Sequence, residues 1–82
     1  MTRLFPLESV IYRLEVHDHE WFGVTFKNGW YASIKNSGGD SWEIGRRLPD
    51  GQWEWDAFEE GDTILCLSWE DVLDVCVETS TL

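Results

Sequence analysis

The fold is decided by residues 21–34, which read WFGVTFKNGWYASI. In the first half of this stretch, Phe22, Val24 and Phe26 alternate with other residues, which is the period-two pattern of a strand with one buried face. The Asn-Gly pair at 28–29 supplies the two residues with positive φ that a type I′ turn requires. A second short strand follows the pair directly. The stretch therefore predicts an antiparallel β-hairpin closed by a type I′ turn.

Strand patterns continue on both sides of the hairpin. Residues 10–16 and residues 41–47 alternate in the same way, and 48–51 (Leu-Pro-Asp-Gly) has the composition of a tight turn. Residues 52–56 are expected to form a fifth strand at the edge, paired back on the fourth. Residues 63–67 are expected to form either another strand or part of a buried loop. The positions expected to face inward in the first and fourth strands are Val10, Tyr12, Leu14, Val16, Trp42 and Ile44.

A helix is predicted over about residues 68–79. Ser68 is a good N-cap, and Asp71 lies three residues later, near the capping-box position. One apolar helix face is formed by residues at i, i+3, i+4 and i+7, namely Trp69, Val72, Leu73 and Cys76. The sequence thus predicts a single α+β domain over residues 1–82, in which one C-terminal α-helix packs on one face of a four- to five-stranded antiparallel meander.

Six tryptophans are more than a single helix can cover, so some of them are expected at an exposed surface or an interface. Trp53 and Trp55 are expected near solvent, because their neighbours are acidic. Trp21, Trp30 and Trp42 are expected in the core.

Charge is distributed unevenly along the chain. The sequence holds 6 Lys and Arg against 16 Asp and Glu, for a net charge of −10. Residues 1–49 are neutral in sum, whereas residues 50–82 contain ten acids and no base. A surface of this sign disfavours direct binding of nucleic-acid phosphates and attracts basic partners. The asymmetry predicts an interaction surface in the second half of the chain.

The predicted interaction surface combines carboxylates with two indoles. In an extended segment, alternate residues lie about 6.8 Å apart, so Glu54 and Asp56 share one face and Trp53 and Trp55 the other. This spacing is comparable with that of neighbouring phosphates, and such carboxylates could occupy a nucleic-acid-binding site on a partner protein. The alternative is a solvated acidic surface that maintains solubility. The predicted partner-binding residues are Asp50, Trp53, Glu54, Trp55, Asp56, Glu59, Glu60, Asp62, Asp71, Asp74 and Glu78.

The predicted helix carries a stripe of like charge, formed by Asp71, Asp74 and Glu78. Such a stripe costs a few tenths of a kcal/mol per pair, and no Lys or Arg follows in the sequence to offset it. Either the stripe is neutral drift, or it is retained because a basic partner needs it.

Neither an enzyme, a cofactor nor a metal site is predicted. His17 and His19 could point the same way from an extended segment and share a metal, but no Cys or further His supplies the rest of a coordination sphere, and the stretch has the composition of a turn. Cys66 and Cys76 have apolar neighbours and no zinc spacing, so buried free thiols are expected, with a disulfide as the alternative. No apolar run approaches the roughly 20 residues of a membrane span. Free thiols at Cys66 and Cys76 favour a reducing, cytoplasmic location.

Residues 22–78 resemble small uncharacterised bacteriophage proteins. The resemblance rests on Phe26-x-Asn28-Gly29-Trp30-x-Ala32-Ser33-Ile34, Gly38-Gly39, Trp42-Glu43-Ile44, an acidic stretch, and Leu67-Ser68-x-Glu70-Asp71-Val72-Leu73. It implies a phage origin and no established chemistry. By analogy of class, it suggests small acidic phage proteins that bind and inhibit host proteins, including anti-CRISPR proteins and DNA mimics.

The resulting functional prediction is a non-enzymatic phage inhibitor that acts in the bacterial host cell. It would bind a host protein with a basic surface, and neither nucleic acid nor a membrane directly. The alternative is a self-assembling homodimer formed through an aromatic sheet face.

Overall fold

The computed structural model describes residues 7–54 and 64–82 of the chain. Within them, the elements are β1 (Ile11–Asp18), β2 (Trp21–Phe26), β3 (Tyr31–Gly38), β4 (Ser41–Arg47), β5 (Ile64–Cys66) and α1 (Trp69–Ser80). The strands form one antiparallel sheet in the order β1-β2-β3-β4-β5, and α1 packs against β3, β4 and β5. The predicted α+β meander is confirmed, and β5 confirms the strand alternative for residues 63–67. No helix of the described residues is long and apolar enough to cross a membrane.

The core lies between α1 and one face of the sheet. The alternating residues of β2 and β4 point into it as predicted, because both strands keep a regular two-residue period. The aromatic rings of Phe22, Trp42 and Trp69 pack together, with centroids 4.9 Å apart for the two tryptophans. The buried apolar residues of the described chain are Leu7, Phe22, Val24, Phe26, Ala32, Ile34, Trp42, Ile44, Cys66, Val72 and Cys76.

The start of α1 follows its predicted capping signal. The Asp71 backbone N–H donates to the Ser68 hydroxyl at 3.2 Å, which satisfies one of the unpaired donors of the first turn. The Asp71 carboxylate accepts from the backbone N–H of Leu67 at 3.3 Å. Val72 and Cys76 are fully buried, and the predicted apolar face of the helix is confirmed.

The inward positions predicted for the first strand are partly wrong. Tyr12 is 75% exposed, because a register shift between Ile11 and Arg13 places an extra residue opposite β2. The bulge brings Ile11 and Leu14 to the same side, although they are three residues apart, and both pack against the core. Val16 is exposed near the end of this edge strand.

The predicted hairpin is present, but its turn is not of type I′. Gly29 has a φ of 94°, whereas no other residue type has a positive φ among the described residues. The Gly29 N–H donates to the Phe26 carbonyl at 3.0 Å, which is typical of a longer loop with glycine in the left-handed position. Asn28 keeps a negative φ and uses its side chain instead. Its amide accepts from the Trp30 N–H and donates to the Thr79 carbonyl at 2.7 Å, which ties the hairpin to the end of α1.

The chain after β4 turns back along that strand as predicted. The turn at 48–51 is closed by a hydrogen bond between its first and last residues, with an N···O distance of 2.9 Å. Trp53 then forms an isolated bridge with Arg47, and the Glu54 N–H donates to the Arg46 carbonyl at 2.8 Å. The described part of the predicted fifth strand therefore forms a short arm against β4.

Candidate partner-binding site

The outward face of α1 is covered by exposed carboxylates, which we call the acidic helix face: Glu70, Asp71, Asp74 and Glu78. Residues four apart in a helix are separated by about 6 Å along its axis, so three of these acids follow one line at regular spacing. Two of the four lie in the first turn, where they suit the positive end of the helix dipole, whereas the last turn contains no basic residue. The predicted like-charged stripe is therefore present in the fold.

A base from the sheet supports the C-terminal end of α1. Arg46 is only 8% exposed, and its guanidinium lies beneath the helix end. It donates to the Thr79 hydroxyl at 3.2 Å and to the Glu54 carboxylate through Nε at 3.0 Å. A Glu78 carboxylate oxygen lies 3.8 Å from the same guanidinium. The sequence expectation that no base offsets the acids at this end of the helix is wrong, because the base comes from β4.

Glu54 does not lie on an open acidic surface. Its side chain is 19% exposed and forms an ion pair with Arg46, which neutralises it. Trp53, its neighbour, points to the opposite side of the sheet, as the alternation predicts. Asp50 is exposed in the preceding turn, where its carboxylate accepts from the Gln52 N–H at 2.9 Å.

The structure thus brings together three of the predicted site residues, Asp71, Asp74 and Glu78, on the acidic helix face. Five others lie outside the described residues: Trp55, Asp56, Glu59, Glu60 and Asp62. Sequence reasoning missed Glu70 as a member of this face, although its i, i+4 spacing to Asp74 was visible in the sequence.

The sheet face opposite α1 carries aromatic rings covered by cations. Lys35 Nζ lies 5.5 Å from the ring centroid of Trp21, and the Arg47 guanidinium lies 4.5 Å from that of Tyr31. Tyr31 lies across Gly23, where a Cβ would overlap the tyrosine hydroxyl. Burial raises the pKa of Tyr31, the nearby carboxylate of Glu15 raises it further, and Arg47 opposes both effects.

The tryptophans of residues 7–54 and 64–82 divide between the core and this open sheet face. Trp42 is buried and Trp30 packs against the core, as predicted. Trp53 is 38% exposed, as predicted, but Trp21 is 40% exposed and was wrongly expected in the core. Trp21 is adjacent to the inward-facing Phe22, so strand alternation places it on the open face.

A groove opens at the end of the sheet where two hairpin turns meet the start of α1, and we call it the end groove. Its volume is about 210 Å³. Glu20 from the β1–β2 turn and Asp40 from the β3–β4 turn line it, together with Leu67 and the tryptophans Trp42 and Trp69. The two indole rings meet edge to face at 67°. Sequence reasoning missed this groove, because only the topology brings these distant residues together.

The two cysteines lie in the core, away from the acidic helix face. Cys66 and Cys76 are free and buried, which confirms the predicted thiols. Burial raises the pKa of Cys76 to about 12, with a further contribution from Cys66, so its thiol stays protonated near neutral pH. No group of three or more His, Cys, Asp or Glu side chains among the described residues could hold a metal ion.

Comparison of the chain with protein-family models, with curated proteins and with solved structures found no match.

Proposed function

We propose that this protein is a non-enzymatic binding protein whose acidic helix face occupies a basic surface of a partner protein. The observation that carries the proposal is the row of Glu70, Asp74 and Glu78 at one-turn intervals on the exposed side of α1. Arg46, which supports the same helix from beneath, is already held by Glu54 and Thr79 and leaves most of this charge uncompensated.

A like-charged row weakens the helix that carries it by a few tenths of a kcal/mol per pair. Binding of a basic surface offsets this repulsion with attraction. The partner therefore stabilises a helix that is weakened by like charges in the free protein. Charge complementarity of this kind also speeds diffusional encounter and makes it dependent on salt.

Successive acids of this row are about 6 Å apart along the helix axis, which is comparable with the separation of neighbouring phosphates in nucleic acid. A nucleic-acid-binding surface on a partner protein is therefore one kind of site that the acidic helix face could occupy. The resemblance to small acidic bacteriophage proteins extends the proposal to inhibition of a host protein.

The proposal is tested by capturing partners from bacterial lysate at low salt and measuring the affinity of the captured protein for two variants. The first variant, Glu70→Gln with Asp74→Lys, changes the acidic helix face. The control, Glu8→Gln with Glu15→Lys, makes the same change in net charge at exposed positions outside α1. Glu54 and Glu78 are left unchanged, because both contact Arg46.

We expect the helix variant to lose about tenfold or more in affinity and the control to lose about threefold or less. Equal losses for both variants would mean that net charge alone governs binding. An affinity that stays constant from low to high salt would contradict the electrostatic mechanism.

Self-association through the open sheet face is the second candidate, favoured by the exposed rings of Trp21 and Trp53. A face-to-face dimer would also bury the cations that lie over these rings, Lys35 and Arg47, which adds a desolvation cost. Sedimentation velocity at micromolar concentration decides the question, because a monomer under these conditions excludes the dimer.

A further inference from the structure

We infer that the end groove receives one arginine side chain of the basic partner. The inference rests on the proposed function, since it names the partner group that anchors beside the acidic helix face. Three independent features support it: the chemistry of the walls, the local charge and the size of the groove.

The walls offer aromatic surface for a planar cation. The accessible indole surface comes from the half-buried Trp69, which lines the groove and is held edge to face against the buried ring of Trp42, with 4.9 Å between the centroids. A guanidinium packs against indole more favourably than an ammonium does, because it is planar and more weakly hydrated. The exposed Leu67 gives the aliphatic stem of an arginine an apolar neighbour.

The charge around the groove is negative, although a helix begins there. Glu20 and Asp40 reach the groove from two different turns. Glu70 and Asp71 lie in the first turn of α1 and offset the positive end of its dipole, which Ser68 caps. A cation in the groove therefore meets carboxylates from two separate turns, and the helix that begins beside it does not oppose their charge.

The size of the groove fits a single side chain. Its volume of about 210 Å³ is below the roughly 300–1,000 Å³ of pockets that enclose drug-sized ligands. Because the groove is open on one side and lies next to the acidic helix face, a protein bound on that face can place one long side chain into it.

The experiment compares two probes, a hexa-arginine and a hexa-lysine peptide, by isothermal titration at low salt with the full chain. The groove variant is Glu20→Gln with Asp40→Asn. The matched control is Glu70→Gln with Asp74→Asn, which removes the same number of charges from the acidic helix face. Thermal unfolding of both variants checks that the fold is retained.

We expect the wild-type protein to bind the arginine peptide about tenfold more tightly than the lysine peptide. The groove variant should lose this preference, whereas the control should weaken binding of both peptides and keep the ratio. Equal affinities of the wild-type protein for the two peptides would overturn the arginine site and leave the proposed function standing. A control variant that binds both peptides as tightly as the wild-type protein would contradict the role of the acidic helix face and leave the groove intact.

Discussion

Arg46 joins three parts of the chain through a single guanidinium. It connects β4 to Glu54 on the returning arm and to Thr79 at the end of α1, and it also lies 5.5 Å from the ring centroid of Trp30. A charge at this depth is tolerated only when its hydrogen-bonding groups are occupied. Glu54 therefore has a structural role, although its sequence context is that of an acidic surface.

Replacing Glu54 by Gln should lower the free energy of unfolding by about 2–3 kcal/mol, since the guanidinium loses its counter-charge. The loss should stay below that of a fully buried pair, because Glu54 is 19% exposed. Urea denaturation measures the effect. Glu78→Gln is the control and should change stability by about 0.5 kcal/mol or less, since Glu78 is 66% exposed. Similar values for the two variants would remove the special role of Glu54.

The position of Arg46 could have been predicted from the sequence. Trp42, Ile44 and Arg46 are two residues apart, so alternation places all three on the face that α1 covers. The same reasoning places Trp21 on the open face. Residue type alone favours the surface for an arginine and the core for a tryptophan. The two-residue period of the strand favours the opposite positions, and these are the ones observed.

At the scale of elements, α1 has two functions on opposite sides. Its inner side buries Val72 and Cys76 against the sheet, whereas its outer side carries the acidic helix face. The inner side holds the helix in place and allows the outer side to keep residues that disfavour helix formation. Stability and the proposed binding therefore place opposite demands on the outer residues.

Asp74→Lys should separate these demands. It replaces three like-charge contacts, with Glu70, Asp71 and Glu78, by opposite-charge contacts at the same spacings, so the free energy of unfolding should rise by about 0.5 kcal/mol. Chemical denaturation measures the gain. Glu15→Lys is the control, because it makes the same change of charge on strand β1, where no helical neighbours are affected. We expect affinity for the captured partner to fall in the same variant. A variant that gains stability and keeps its full affinity would show that the stripe has no part in binding.

The elements themselves were largely predictable. β2, β4 and α1 follow regular periods and local capping signals, which are properties of neighbouring residues. The bulge after Ile11 and the conformation of Asn28 depend on contacts with other elements, β2 in one case and the end of α1 in the other. A local pattern cannot encode such contacts, and there the sequence predictions failed.

At the scale of the whole molecule, charge is arranged differently in space than along the chain. The sequence divides into a neutral part and an acidic part, but the fold brings Glu20 and Asp40 of the neutral part to the end of the sheet where α1 begins with Glu70 and Asp71. The end groove could therefore not be predicted from the sequence, because its walls come from distant segments.

A net charge of −10 should make stability depend on salt. Raising NaCl from about 0.01 M to about 1 M shortens the Debye length from about 30 to about 3 Å and screens repulsion among the carboxylates. We expect a gain of about 1 kcal/mol, which corresponds to a rise in Tm of about 4–8 °C for a domain of this size. Differential scanning calorimetry measures it, and the Glu70→Gln, Asp74→Lys variant should show a smaller rise. A fall in Tm would contradict the expected dominance of repulsion among the carboxylates, since the Arg46–Glu54 pair is largely buried and little screened by salt.

The order of strands in the sheet has a consequence for how the chain folds. Among the described strands, each of β2 to β5 pairs with the one before it, so the sheet grows by contacts between strands that follow one another. Topologies dominated by such local contacts close short loops and fold faster than those with distant pairings. Because α1 follows all five strands, the surface on which it packs can be complete before it docks. The contacts of Thr79 with Asn28 and Arg46 then join the end of the helix to a hairpin and a strand formed earlier on the pathway.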